Sequence, residues 1–175
     1  MSRYLTAARV GDVERDDVDR LVEAWQRERP DLDTAPMEVL SRVARLARHL
    51  DRARRSAFAE HGLEPWEFDV LVALRREGPP YELSPGRLLA STMVTSGTMT
   101  ARVDKLVDRG LVSRRADPLD RRGVLVRLAG PGRTAVDAAL AGLLAREEQL
   151  LSGLGAAERA ELAGLLRQVV APLDA

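Results

Sequence analysis

The run Thr95-Ser96-Gly97-Thr98-Met99-Thr100-Ala101-Arg102 is the densest grouping of residues suited to contacting a ligand. Thr95, Ser96, Thr98 and Thr100 are short hydroxyl donors that can reach a phosphate or a base edge, and Gly97 permits close approach of a backbone. At the start of a helix the free N–H groups would favour a phosphate as well. Arg121 and Arg122 sit side by side in the charged turn Asp117-Pro118-Leu119-Asp120-Arg121-Arg122-Gly123. From such a turn guanidinium groups can enter the negative potential of a minor groove. Taken one at a time, the hydroxyls could merely cap a helix and the arginines merely solvate a turn. Asp69 is a different kind of candidate, a carboxylate inside the nearly all-apolar stretch Phe68-Asp69-Val70-Leu71-Val72-Ala73-Leu74. Buried there, it would carry a desolvation cost unless a cation paired with it. Arg102 and Arg114 are candidate partners. The alternatives are a structural Asp–Arg bridge without a ligand, or an Asp turned to solvent at the helix edge.

The elements that must position these residues are mostly helices. Val18, Leu21, Val22 and Trp25 form one apolar stripe, which predicts a helix from Val13 to Arg29, stopped by Pro30. Thr34 is placed to cap a second helix with Pro36 in its first turn, running to about Glu60 and ended by Gly62. Pro65 opens a third, Trp66 to Arg76, which should be central and buried, and Gly78-Pro79-Pro80 breaks the chain. Ser84 and Pro85 begin a short helix to about Ala90. A turn from Ser91 to Val94 leads into a helix from Thr95 to Arg109, with Gly110 as its stop. Two helices joined by so tight a turn have helix-turn-helix spacing. The period then changes to two: Leu111 to Arg115 and Val124 to Leu128 read as a β-hairpin around the charged turn. Gly130-Pro131-Gly132 closes the hairpin. Two further apolar stripes follow, Val136 to Leu151 and Leu162 to Val169, separated by Gly153 to Gly155.

Composition narrows the chemistry. A chain of 175 residues with 45% hydrophobic and 31% charged residues is expected to be one soluble, globular protein. No apolar run approaches the roughly 18 residues of a membrane span, and Met1 to Val10 lacks a signal-peptide core, so a cytoplasmic location is expected. The absence of cysteine excludes disulfides, a thiol switch, a Cys nucleophile and Cys-ligated zinc. His49 and His61 alone make no typical metal site, so neither metal nor cofactor is expected. There is no glycine-rich phosphate loop after a strand and no Ser-His-Asp arrangement, which argues against an enzyme. Net charge is zero, with 27 basic and 27 acidic residues. Yet Ser84 to Leu128 holds nine basic against four acidic residues, a net of +5, leaving −5 elsewhere. Neutrality therefore hides a basic lobe that can meet phosphate and an acidic body that stays away.

The segment Thr92 to Arg115, with Thr98, Arg102 and Gly110-Leu111-Val112-Ser113-Arg114, followed by Asp120-Arg121-Arg122-Gly123-Val124-Leu125-Val126-Arg127-Leu128, resembles the MarR family of winged helix-turn-helix regulators. The wing is the most specific part, and the resemblance covers roughly Pro36 to Pro172. It implies a mainly α fold with a small β-hairpin wing, a homodimer formed through N- and C-terminal helices, and two lobes reading a pseudo-palindromic operator. It also implies Arg122 in the minor groove and Asp120 positioning the wing arginines. Ala129-Gly130 departs from the family, which usually has a Thr there to cap the next helix. On this reading residues 1–63 are N-terminal helices serving mostly dimerisation, 64–130 the DNA-binding lobe, and 131–175 the C-terminal dimerisation helices. The apolar stripes at both chain ends support a dimer independently, since together they exceed what one small lobe can cover. The alternative is that those helices pack on their own chain.

An N-terminal helix carrying a Trp is similar to the urate-responsive, PecS-like subgroup of that family. That resemblance implies a ligand site built from Trp25, Asp69, Arg102 and Arg114. Paired arginine forks suit planar anions and an indole supplies a face or an N–H donor. Urate is the first candidate ligand and a di- or tricarboxylate such as citrate or aconitate the second. A ligand that recruits Arg102 would shift the recognition helix and release operator DNA, making the protein a ligand-responsive regulator, expected to be a repressor. The competing readings are a winged-helix regulator without a small ligand and a helical protein–protein adaptor.

Overall fold

A computed structural model describes residues 15–92, 96–118, 120 and 123–173. The chain divides into two units, residues 1–49 and residues 50–175. The first unit contains α1 (Asp17–Glu28) and the leading part of α2 (Ala35–Ala59). Helix α1 begins at Asp17, where Asp16 caps it; Val13, the start predicted by the apolar spacing, lies outside the described residues. The Asp16 carboxylate accepts from the N–H groups of Val18 and Asp19 at 2.7 and 3.1 Å, and the Asp19 carboxylate accepts from the Asp16 N–H at 2.8 Å. That reciprocal pair satisfies the donors a helix start leaves open. Val18 and Val22 are buried, whereas Leu21 and Trp25 of the same stripe remain exposed. Arg42 of α2 reaches Asp16 at 3.0 Å and Asp19 at 2.6 Å, and Arg45 reaches Asp17 at 2.9 Å. Two valines and this ion cluster hold α1 on α2. At the start of α2, Thr34 occupies the position before the helix, but the carboxylate accepting from the Ala35 N–H is that of Asp33, at 3.0 Å.

The second unit holds the end of α2, then α3 (Pro65–Arg76), β1 (Glu82–Leu83), α4 (Pro85–Thr92), α5 (Ser96–Asp108), β2 (Val112–Ala116), β3 (Val124–Leu128), α6 (Gly130–Leu150) and α7 (Ala156–Val170), closing in a 3-10 turn at Ala171–Leu173. The strands form one antiparallel sheet in the order β1-β3-β2. The expected hairpin is present, with register from Val112 opposite Leu128 to Ala116 opposite Val124. Strand β1 is an addition: Glu82 and Leu83 pair with Arg127 and Val126. Two residues are too few to carry a period, so the sequence does not announce it. The core draws one or more side chains from each surrounding element, among them Phe58, Phe68, Leu71, Leu74, Leu88, Met99, Leu106, Val126 and Val136. The Phe58 and Phe68 rings stack at 3.9 Å. Each such side chain contributes about 1.5–3 kcal/mol on burial, so this one core fixes α5 relative to the hairpin.

Ala129 precedes α6 in extended conformation without a side-chain cap, and Pro131 lies in the first turn. The helix thus starts where a capping Thr would have started it, because proline presets the first-turn φ. Gly132 has a second role besides breaking the strand: a Cβ there would lie 2.1 Å from the carbonyl oxygen of Leu111. Helix α6 can press against the entry to β2 only without a side chain. Farther along, α6 and α7 leave Leu144, Leu165, Leu166 and Val169 exposed, as α2 leaves Val39 and Leu40. Among the described residues no helix is long and apolar enough to cross a membrane. Gly132→Ala should therefore destabilise the protein by about 1–3 kcal/mol, the usual range for overpacking, read as a lower midpoint in urea unfolding; an unchanged midpoint would contradict the close approach.

Candidate nucleic-acid interface

Helix α5 buries Met99, Val103 and Leu106 against the core. Its reverse face presents Gly97, Thr98, Thr100, Ala101, Asp104 and Lys105 to solvent. Gly97, Thr98 and Thr100 accordingly stand on the outer surface of the second helix of the pair, with Ser96 as its first residue. Among the described residues nothing lies within 4 Å of a Cβ built at Gly97, so none of them demands a glycine there. Its effect is to leave the backbone open to whatever approaches from outside. Thr95, Arg121 and Arg122 lie outside the described residues.

Two carboxylates with little exposure hold this surface in place. The Glu67 side chain in α3 is 3% exposed and pairs with Arg109, just beyond α5. Glu67 also accepts from the Glu64 N–H at 2.9 Å, and Arg109 donates to the Gly62 carbonyl at 2.8 Å. Gly110, with φ 66°, then turns the chain toward β2. The wing repeats the device. Glu82 on β1, 6% exposed, accepts from Arg115 Nε at 2.8 Å and lies 3.6 Å from Arg127. The hydrogen bond from Arg115 holds the Glu82 carboxyl below its ordinary value, outweighing burial, and raises Arg115 in turn. At the hairpin tip the Gly123 N–H donates to the Asp120 carbonyl and the Asp117 N–H to the Gly123 carbonyl, each at 2.9 Å. Neither Glu67 nor Glu82 stands out in the sequence; the only available signal is a carboxylate at a position flanked by apolar residues.

Within the second unit, Asp69, Arg102 and Arg114, expected to share a ligand site, each have a different partner. Asp69 is not deeply buried: its side chain is 47% exposed, and its cation is Arg54 of α2 at 3.9 Å, in place of Arg102 or Arg114. The helical period explains the difference. Phe68, Val70, Leu71, Ala73 and Leu74 fill the buried side, while Trp66, Asp69 and Val72, three residues apart, form its edge. Asp69 lies with Arg54, Arg76, Ser91 and Thr92 in an open cleft of about 750 Å³. Arg102 instead lies over Trp66 in a cation–π contact, with its guanidinium carbon 5.6 Å from the ring centroid. Arg114 on β2 pairs with Asp104 of α5 at 2.6 Å. Trp25 is on α1 in the first unit, 45% exposed.

A short helix, a second helix with an exposed polar face, and an adjoining antiparallel hairpin define a winged helix-turn-helix DNA-binding protein. The comparisons agree. A family model described as MarR family matches residues 61–123. The HTH-type transcriptional regulator PecS of Dickeya dadantii (strain 3937) is 34% identical over 169 residues, covering 97% of this chain and 95% of the relative. A mutant MarR from E. coli, complexed with operator DNA, superposes with a TM-score of 0.64 at 25% identity over 78% of this chain and 96% of that one. BpsR of Bordetella bronchiseptica, solved to explain regulation of its DNA binding by 6-hydroxynicotinic acid, gives 0.60 at 29% identity over 75% and 91%. This chain belongs to the MarR family of transcriptional regulators.

The Glu82–Arg115 pair yields a pH dependence. Because the folded carboxyl titrates below its unfolded value, its contribution is fully present above about pH 4.3 and disappears as pH falls through the folded value. Glu82→Gln should therefore lower stability at pH 7, and the gap to wild type should close on acidification below about pH 4. A gap that stays constant across that range would contradict the assigned cause.

Proposed function

We propose that the protein is a repressor that binds a pseudo-palindromic operator as a homodimer and is released by a small anionic ligand. The observation that carries DNA reading is the outward face of α5, where Gly97, Thr98 and Thr100 are exposed beside the hairpin. In this reading Thr95 and Ser96 extend that contact at the helix start, and Arg121 and Arg122 carry the wing to the minor groove. Residues 64–130 act as the reading lobe. Residues 1–63 and 131–175 supply the dimer contact, supported by the exposed Val39, Leu40, Leu144, Leu165 and Val169. Two such lobes suit half-sites about one helical turn apart, or a multiple of it. The regulator would act in the cytoplasm, with no cofactor and no enzymatic step.

For the ligand, urate remains the first candidate and citrate or aconitate the second, with Trp25, Asp69, Arg102 and Arg114 as the proposed contacts. In the described conformation Arg102 and Arg114 are held by Trp66 and Asp104. An anion that draws either arginine away would disturb α5 itself, and release follows if the anion binds that altered state more tightly. Arg54 and Arg76, which line the cleft around Asp69, add positive charge on that side.

Footprinting on duplex DNA beside the protein's own coding region should give two protected half-sites, and Arg122→Ala should weaken them. Sedimentation should give a dimer. Millimolar urate or citrate should then relieve binding; if neither does, the ligand part fails while operator binding stands. A protein that retards no duplex at any salt would be an adaptor instead.

A further inference from the structure

Thr98, Arg102 and Lys105 recur along α5 at the i, i+4, i+7 spacing of one helix flank. That flank turns toward the first turn of α3, where Trp66 follows Pro65. Arg102 and Lys105, the sole lysine of the chain, lie over the same indole, their charged atoms 5.6 and 6.0 Å from its centroid. With Thr98 and Ala101 they line a cleft of about 270 Å³. Among the described residues neither cation takes part in an ion pair. The surrounding arginines differ: Arg109 is taken by Glu67, Arg114 by Asp104, Arg115 and Arg127 by Glu82, and Arg87 by Glu77. Two residues apart on a helix point to nearly opposite flanks. Asp104, paired with Arg114, therefore marks the wing side of α5, and Arg102 marks the other.

We propose that Trp66, Arg102 and Lys105 form a clamp for backbone phosphates on the groove wall opposite the wing. A guanidinium lying over an indole keeps its edge N–H donors free, and those are the donors a phosphate oxygen accepts from. The two cation–π contacts also restrict two long side chains beforehand, reducing the rotamer freedom that binding would otherwise have to remove. Two like charges over one ring repel each other, which an intervening phosphodiester relieves. Trp66 is thus a positioning residue and the two cations are the contacts. The clamp rests on the operator reading above, and it connects to release: an anion that draws Arg102 off Trp66 removes a phosphate contact as well.

The test is titration of wild type, R102Q, K105Q, R102Q/K105Q and W66F into operator and unrelated duplexes over about 50 to about 300 mM salt. Each lost cation should make the slope of log affinity against log salt shallower by about 0.9, and the pair by about 1.8. Both duplexes should weaken by the same factor, since phosphates carry no sequence. W66F should weaken binding in the wild-type background and have no further effect in R102Q/K105Q, a coupling that a merely structural Trp would not produce. A wild-type slope in R102Q/K105Q, a loss confined to the operator, or an additive W66F would each overturn the clamp while leaving operator binding intact. A wild type that binds no duplex would overturn both.

Discussion

Glu67 is a carboxylate that the interior holds because Arg109 reaches it from just beyond the C-terminal end of α5. Leaving a buried acceptor without its partner costs about 1–3 kcal/mol, and more when it is charged. The pair is therefore a strong constraint on where α5 can end. Arg109 also binds the Gly62 carbonyl, and Glu67 closes the first turn of α3 through Glu64. One ion pair thus ties the α2–α3 turn, the start of α3 and the end of α5 at a single point. Trp66 precedes Glu67, so the same tie sets the indole beside Arg102 and Lys105. Glu82 repeats the arrangement in the sheet, where Arg115 and Arg127 converge on it from the two hairpin strands.

This arrangement divides the positive charge of the lobe into two kinds. Several arginines neutralise carboxylates that the fold has removed from water, and their first effect is geometry. Arg102 and Lys105 lie over an aromatic face, and no carboxylate among the described residues pairs with them. A net charge of +5 between Ser84 and Leu128 thus overstates the number of cations left without a carboxylate partner among the described residues. Exposed pairs such as Arg114–Asp104 contribute little to stability. Such a pair can be exchanged for another partner at small cost, which is the property a switch requires.

The two ends of the chain obey a different constraint. Helix α7 has no buried residue although it carries Leu162, Leu165, Leu166 and Val169. A helix of this length is marginal in water by itself and relies on packing of an apolar face. The exposed faces of α2 and α6 share this condition. These faces remain exposed in the single chain, which is the condition under which apolar helix faces mark an interface.

The helix-turn-helix and the wing were legible because each rests on local physics: Pro85 and Gly110 mark helix ends, and the period changes from 3.6 to 2 after Leu111. The exposed setting of Gly97, Thr98 and Thr100 agrees with the same period, with Met99, Val103 and Leu106 facing inward. For Asp69 the sequence leaves a buried pair and an edge position both open, because an apolar neighbourhood does not say which side of the helix a residue takes; one position of rotation separates Phe68 in the core from Asp69 at the edge. What only the tertiary structure decided is partner choice. Arg54 meets Asp69, Trp66 meets Arg102 and Arg109 meets Glu67 across 15, 36 and 42 positions of chain. Ion pairing and stacking depend on distances of a few ångströms that no local period encodes.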